Sequence, residues 1–269
     1  MEVHKLSELV RNMNSINIEI DEMAYAVIGR EWRADNVCSP YTRIYMIVKG
    51  SGCISSAGEE LKMEAGNIYV VPAGMEFSYR CDEHLEKIYF HINALRPDNY
   101  DMFSGLTKFI VLKNREETIR DVNNRINKIT AGSIFEIKSR VYEIAESSVK
   151  TEQKLYEKAF TGYSAVTEGA LEYISKNLSA KLAAEEIADA MFVSVSKLQK
   201  VFRKEIGVPL RKYINDRLMF AAEAEIRKNE LSVKEISESL GFCDQFYFSR
   251  CFTEKFGRSP LKYKKLCNM

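Results

Sequence analysis

Histidine is scarce in this sequence: His4, His84 and His91 are the only three. Cysteine is present six times, at 38, 53, 81, 243, 251 and 267, but with no CxxC pair and no metal-ligand spacing. No metal site is therefore expected. The cysteines read as small buried apolar residues in a reducing cytoplasm. No run approaches the roughly 18 apolar residues of a membrane span, and the start MEVHKLSELV lacks a continuous apolar stretch. Neither a signal peptide nor a membrane partner is expected, and the expected location is cytoplasmic. There is no nucleophile–base pair and no phosphate-binding glycine loop, so no catalytic residue and no cofactor is assigned. The one tryptophan, Trp32, is expected to pack in a core, with an aromatic platform in a ligand pocket as the alternative.

Charge of one sign is also missing, with a net of +1 over 269 residues. Its distribution is uneven. Residues 1–160 hold 21 Lys+Arg against 24 Asp+Glu, whereas residues 161–269 hold 18 against 14. A basic C-terminal third is compatible with a polyanionic partner. The length suggests two domains, expected at 1–160 and 161–269.

After an extended stretch at 17–28, the segment Arg43 to Ile92 is a series of short runs rich in Ile, Val, Tyr and Phe: RIYMIVKG, GCISS, EELKMEAG, NIYVVPAG, EFSYRC and LEKIYFHINA. Glycines and Pro72 separate them, which predicts an antiparallel sandwich or barrel. Alternation places Arg43, Tyr45, Ile47 and Lys49 on one face and Ile44, Met46 and Val48 on the other. It also groups Lys87, Tyr89 and His91 opposite Ile88, Phe90 and Ile92. A barrel of this size can hold one small ligand.

The pattern then turns helical. Ile119, Val122, Ile126 and Ile129 share one spacing with Ile134, Ile137, Val141 and Ile144, which predicts a helical hairpin. Its two narrow seams can pack on the barrel or on a partner helix. Residues 151–166 read as a linker, and Leu171, Ile174 and Leu178 open a further helix.

Val233 to Tyr263 predicts a helix-turn-helix. Ile236 and Leu240 give the first helix its apolar side, Gly241 ends it, and Asp244 caps the second. Phe248, Cys251, Phe252 and Phe256 form a buried stripe, Gly257 closes the helix and Pro260 follows. The same unit occurs fifty residues earlier. Ser194 falls on Asp244, Leu198, Val201, Phe202 and Ile206 fall on the stripe, Gly207 falls on Gly257, Tyr213 on Tyr263, and Phe192 on Phe242. A long helix, roughly Pro209 to Lys228, joins the two.

At 100° per residue, Ser196, Gln199, Lys200 and Arg203 lie opposite the first stripe, and Phe246, Ser249, Arg250 and Thr253 opposite the second, with Gln245 at its edge. Arg and Lys can donate to guanine, Gln can pair with adenine, and Phe can touch a thymine methyl. Lys197, Lys204, Arg211, Lys212 and Arg258 suit phosphates. Phe246 either meets a base or packs under the turn.

The segment SLGFCDQFYFSRCFTEKFGRSPLKY closely resembles the signature of the AraC/XylS family of bacterial transcription regulators. IADAMFVSVSKLQKVFRKEIGVPLRKYI with RLMFAAEAEI resembles that family's first unit, so the likeness covers about residues 167–266. Phe246 departs from the serine common there. The resemblance implies a seven-helix domain that lays both recognition helices in successive major grooves of double-stranded DNA, about one helical turn apart. Residues 43–92 look like the family's cupin-type effector barrel, through R-I-Y-x-I-x-x-G-S-G and L-x-x-E-A-G-N-I-Y-V-V-P-A-G. Metal-binding cupins need early histidines, and none lies between Arg43 and Tyr79. By the same resemblance Lys49 and Tyr79 fall on effector positions, while strand parity adds Arg43, Tyr45, Tyr89 and His91.

The expected fold is thus α+β: a cupin-like β-barrel with a helical hairpin, then an all-α domain of two helix-turn-helix units joined by a long helix. The expected function is a DNA-binding regulator, an activator that meets RNA polymerase, with a small-molecule effector such as a sugar and a homodimer contact through residues 116–150. Two alternatives stand beside it: control by a protein partner in place of a small molecule, and a cupin enzyme with a helical appendage.

Overall fold

The computed structural model describes residues 10, 13, 14, 16–96, 100–152 and 163–267, with the side chains of 266 and 267 left out. The expected boundary at 160 and the first nine residues lie outside them. The chain divides into two compact units, Met1–Thr161 and Gly162–Met269.

Eight strands build the first unit: β1 (Asn17–Ile28), β2 (Arg33–Cys38), β3 (Thr42–Ser56), β4 (Glu59–Glu64), β5 (Ile68–Val71), β6 (Glu76–Arg80), β7 (Leu85–Leu95) and β8 (Ile110–Leu112). They run in the order β1-β7-β3-β5-β8, with β4 and β6 also on β3 and β2 on β6. Every pairing is antiparallel. RIYMIVKG and GCISS, expected as two strands, form the single strand β3. Its first part pairs with β5 and β7 up to Gly50, and from Ser51 onward it pairs with β4 and β6. Gly50 turns this corner at φ +75°, where a Cβ would sit 2.1 Å from the His84 carbonyl oxygen. Only glycine fits such an approach.

The alternation expected along β3 also stops early. Its register against β7 shifts between Ile47 and Lys49, a bulge that flips every later side chain. Arg43, Tyr45 and Ile47 keep to one face, but Lys49 is exposed and its ammonium lies 3.9 Å from Glu86.

Two apolar clusters follow from the pleat. Tyr45, Ile47, Ile54, Met63, Tyr69, Val71, Phe77 and Leu85 form one. On the opposite face Ile44, Met46, Ile68, Val70, Ile88, Phe90 and Ile92 meet the helical hairpin, α1 (Glu116–Ile126) and α2 (Ala131–Thr151). Ile119, Val122, Val141 and Ile144 are buried in that contact, with Ile126 and Ile137 packed at its margin. The seams therefore cover the sheet, leaving Ile129, Ile134 and Phe135 exposed. Arg125 and Arg140 both pair with Asp121, the latter at 2.9 Å, and clip the two helices together.

The second unit holds seven helices among the described residues: α3 (Ala165–Lys176), α4 (Ala184–Ala190), α5 (Val195–Ile206), α6 (Leu210–Lys228), α7 (Val233–Ser239), α8 (Gln245–Phe256) and α9 (Pro260–Cys267). Leu171 and Ile174 are buried in α3, which ends before Leu178. The α6 helix carries a buried row through Tyr213, Ile214, Leu218, Ala222 and Ile226. Among the described residues no helix is long and apolar enough to cross a membrane.

Candidate nucleic-acid interface and effector site

Both recognition helices are fixed by local chemistry. The Ser194 hydroxyl accepts from the Lys197 amide at 3.3 Å, and the Asp244 carboxylate accepts from the amides of Phe246 at 2.9 Å and Tyr247 at 3.0 Å. Gly207 and Gly257 end α5 and α8 in the left-handed conformation, at φ 88° and 70°. Leu198, Phe202, Phe248, Phe252 and Phe256 are buried, and burial of each stabilises by roughly 1.5–3 kcal/mol. Phe202 packs edge-on against Tyr213 at 5.2 Å, and Phe252 against Tyr263 at 5.5 Å. The repeat seen in sequence is thus a repeat of packing.

The offset is not constant, however. Helices α4 and α7 are 49 residues apart, whereas α5 and α8 are 50 apart. Val193 donates its amide to Ala188 just as Phe242 donates to Ser237. Val193, not Phe192, is therefore the partner of Phe242, and the second turn is one residue longer. Phe192 instead matches Gly241: both have positive φ, 54° and 79°. This holds the Phe192 side chain in solvent, 96% exposed. The extra residue is Cys243, which is exposed, whereas Cys81 is buried and Cys38, Cys53 and Cys251 lie between. The expectation of burial fails at Cys243 because it occupies this insertion.

Opposite the stripes, Ser196, Lys197, Gln199, Lys200 and Arg203 are exposed on α5. A groove gathers Ser196, Gln199, Lys200, Arg203, Lys204 and Arg211. On α8, Gln245, Phe246 and Arg250 are exposed and Ser249 is half-buried. Phe246, 82% exposed, does not pack under the turn; Phe242 does, 5.3 Å from Phe248. The Arg250 guanidinium lies over the Tyr247 ring at 5.6 Å, which holds it at the surface. Two expected phosphate contacts are engaged within the unit. Arg211 donates to the Leu182 and Ala180 carbonyls, and Lys212 lies 3.4 Å from Asp216.

In the first unit the strands bring five of the six effector candidates together. Arg43 donates to Ser39 Oγ at 2.7 Å, Tyr41 Oη at 3.2 Å and Tyr45 Oη at 3.5 Å. It also meets His91 Nε2 at 3.3 Å. Arginine can only donate, so His91 Nε2 accepts, and the ring proton sits on Nδ1, which faces Glu22 at 2.8 Å. Tyr89 donates to the same Glu22 at 2.7 Å. Tyr79 stacks on Trp32 at 4.4 Å. Lys49, beyond the bulge, stands outside this group.

The residue at the centre is one that sequence reasoning placed on the right face but did not select. Lys87 is 4% exposed. Its ammonium lies 3.7 Å from the centre of the Trp32 ring and 3.9 Å from that of Tyr45. Trp32 thus stacks on Tyr79, lies against the Lys87 ammonium and is half-buried at the margin of the apolar cluster. Burial, and then the charge of Arg43, pushes the Lys87 ammonium well below the usual lysine range. Burial likewise pushes the Tyr45 hydroxyl up. The parity of β7 was the signal that could have found Lys87.

Comparison with known proteins agrees with this geometry. A family described as a helix-turn-helix domain matches residues 187–266. The chain is 23% identical to the Msm operon regulatory protein of Streptococcus mutans, over 94% of this chain and 95% of that one. It is 24% identical to the lactose operon transcription activator of Staphylococcus xylosus, over 82% of each. The fold is shared with ToxT of Vibrio cholerae, solved with (E)-4-(8-methylnaphthalen-1-yl)but-3-enoic acid, at a TM-score of 0.56, 16% identity, and coverage of 91% of this chain and 98% of that one. An N-terminal antiparallel β unit followed by two packed helix-turn-helix units, similar over most of its length to operon regulators, gives this chain the architecture of an AraC-type transcription regulator.

Proposed function

We propose that the chain is a cytoplasmic, non-enzymatic homodimer that activates transcription when a small molecule binds inside its cupin-type N-terminal unit. α5 and α8 enter adjacent major-groove turns of double-stranded DNA. Lys200 and Arg203 on one and Arg250 on the other read bases, with Gln199 and Gln245 beside them and Ser196, Ser249 and Phe246 completing the surface. Lys197 positions the backbone. The carrying observation is that two helices with matched caps and buried stripes expose these side chains. The exposed Ile134 and Phe135 on α2 supply the dimer contact within residues 116–150. The effector shifts the population of dimers that present their DNA-binding units productively to RNA polymerase. A relative named for the lactose operon and a ToxT structure holding an organic acid support control by a small molecule.

Footprinting on the promoter beside the coding region tests the reading. Arg250→Ala and Lys200→Ala should each weaken specific binding by about 1–3 kcal/mol, roughly 5- to 150-fold. Lys197→Ala should lower affinity on all sequences and reduce the salt slope by about 1. Unchanged footprints in both Arg250→Ala and Lys200→Ala would sink the assignment.

A further inference from the structure

Among the described residues, two cations of the first unit, Arg43 and Lys87, are paired with no carboxylate. Arg43 spends its guanidinium on hydroxyls and a neutral imidazole, and its Nε is buried with no partner. The Lys87 ammonium has three donors, yet it meets only ring faces, and no hydrogen bond or ion pair reaches it among the described residues. Tyr45 lies between them, its hydroxyl on Arg43 and its ring on Lys87. Glu22, the carboxylate that meets this cluster, is engaged by His91 and Tyr89 at the edge, with its side chain 45% exposed. Asp101, buried in the same unit, is held by Thr42 and the amides of Ala94 and Phe103. Thr42 alternates with Arg43 along β3, so this carboxylate belongs to the other face.

Burying an ion without a partner costs several kcal/mol even after relaxation. An apolar core would have avoided that cost with a leucine at 87. Cation–π contact offsets part of it but satisfies none of the ammonium's hydrogen bonds.

We propose that Arg43 and Lys87 form an oxyanion site, and that the effector carries a carboxylate or phosphate group seated between them. This rests on the reading that the first unit binds a small molecule, and it names the charge of that molecule. A neutral sugar would leave both cations uncompensated; an oxyanion supplies acceptors for the Lys87 protons and for Arg43 Nε. The ammonium then turns from the Trp32 face toward the ligand.

Trp32 is the only tryptophan in the chain, so its emission reports on this site alone. The full-length protein is titrated with acetate, inorganic phosphate or lactose at matched ionic strength, with fluorescence, melting temperature and promoter affinity recorded. Acetate or phosphate should give a saturable change in emission and a rise in melting temperature. Lys87→Met should weaken that response at least tenfold, and Lys87→Arg should restore it. Acetate against phosphate decides which oxyanion the site prefers. No response to either oxyanion, or one unchanged in Lys87→Met, overturns the proposal. A response to lactose alone overturns it and leaves small-molecule control standing. Oxyanion binding that leaves promoter affinity unchanged keeps the site and removes its effector role.

Discussion

Lys87→Met should make the unliganded protein more stable. Methionine keeps the length and flexibility of the lysine stem and removes a charge that is 4% exposed. Discharging a lysine at pH 7 costs about 4.6 kcal/mol relative to its ordinary titration point. That sets a ceiling on the penalty, because a costlier charged state would simply lose its proton. The contacts with Trp32 and Tyr45 at 3.7 and 3.9 Å return about 2 kcal/mol. The net gain from methionine is therefore roughly 2–3 kcal/mol, within the range found when buried ions are replaced by apolar groups. For a unit of this size that is about 4–12 °C in melting temperature. Thermal unfolding followed by Trp32 fluorescence reads the first unit specifically.

The pH dependence has a definite sign. The native lysine titrates below its unfolded counterpart, so between the two values the unfolded chain binds more protons and wild-type stability rises with pH. The advantage of Lys87→Met should be largest near neutrality and shrink toward about pH 10. Arg43 stays charged throughout, and the neighbouring Tyr45 and Tyr89 hydroxyls are pushed up, so they do not titrate first. A variant less stable than wild type, or an advantage that stays flat with pH, would refute the reasoning.

Two perturbations probe the second unit. Asp244→Ala removes the acceptor for two amides and should cost about 1 kcal/mol; Ser194→Ala, losing one contact of 3.3 Å, should cost less, as compared by urea unfolding of the second unit. Gly241→Ala should cost roughly 1–2 kcal/mol for its φ of +79°, plus a collision, since the new Cβ would lie 2.2 Å from Ser179 Oγ. Combining it with Ser179→Ala should recover only the collision.

Capping and stripe positions were legible because they act within one turn of helix. A serine or aspartate before an apolar repeat satisfies free amides wherever the helix sits, and Gly207 and Gly257 end helices by conformational freedom alone. The repeat was visible for the same reason, apart from one residue. The turn before α8 is longer by Cys243, and side-chain identity could not show this because two phenylalanines, Phe192 and Phe242, stand at matching sequence distance. Backbone hydrogen bonds assign Phe242 to Val193 instead. In the hairpin, periodicity marked both seams, but not that the sheet would cover Val122 and Val141 while Ile134 stayed in solvent.

The sequence by itself determined two helix-turn-helix units with their exposed reading faces, an antiparallel β unit before them, and the strand face that carries Arg43, Tyr45, Lys87, Tyr89 and His91. These depend on local periodicity and on cap chemistry. Only tertiary structure decided that Gly50 turns one strand between two sets of partners, that a bulge puts Lys49 in solvent, and that Lys87 is enclosed between Trp32 and Tyr45. Each depends on what a distant strand places opposite, and the cost of burying a charge is set by those neighbours rather than by the residue itself.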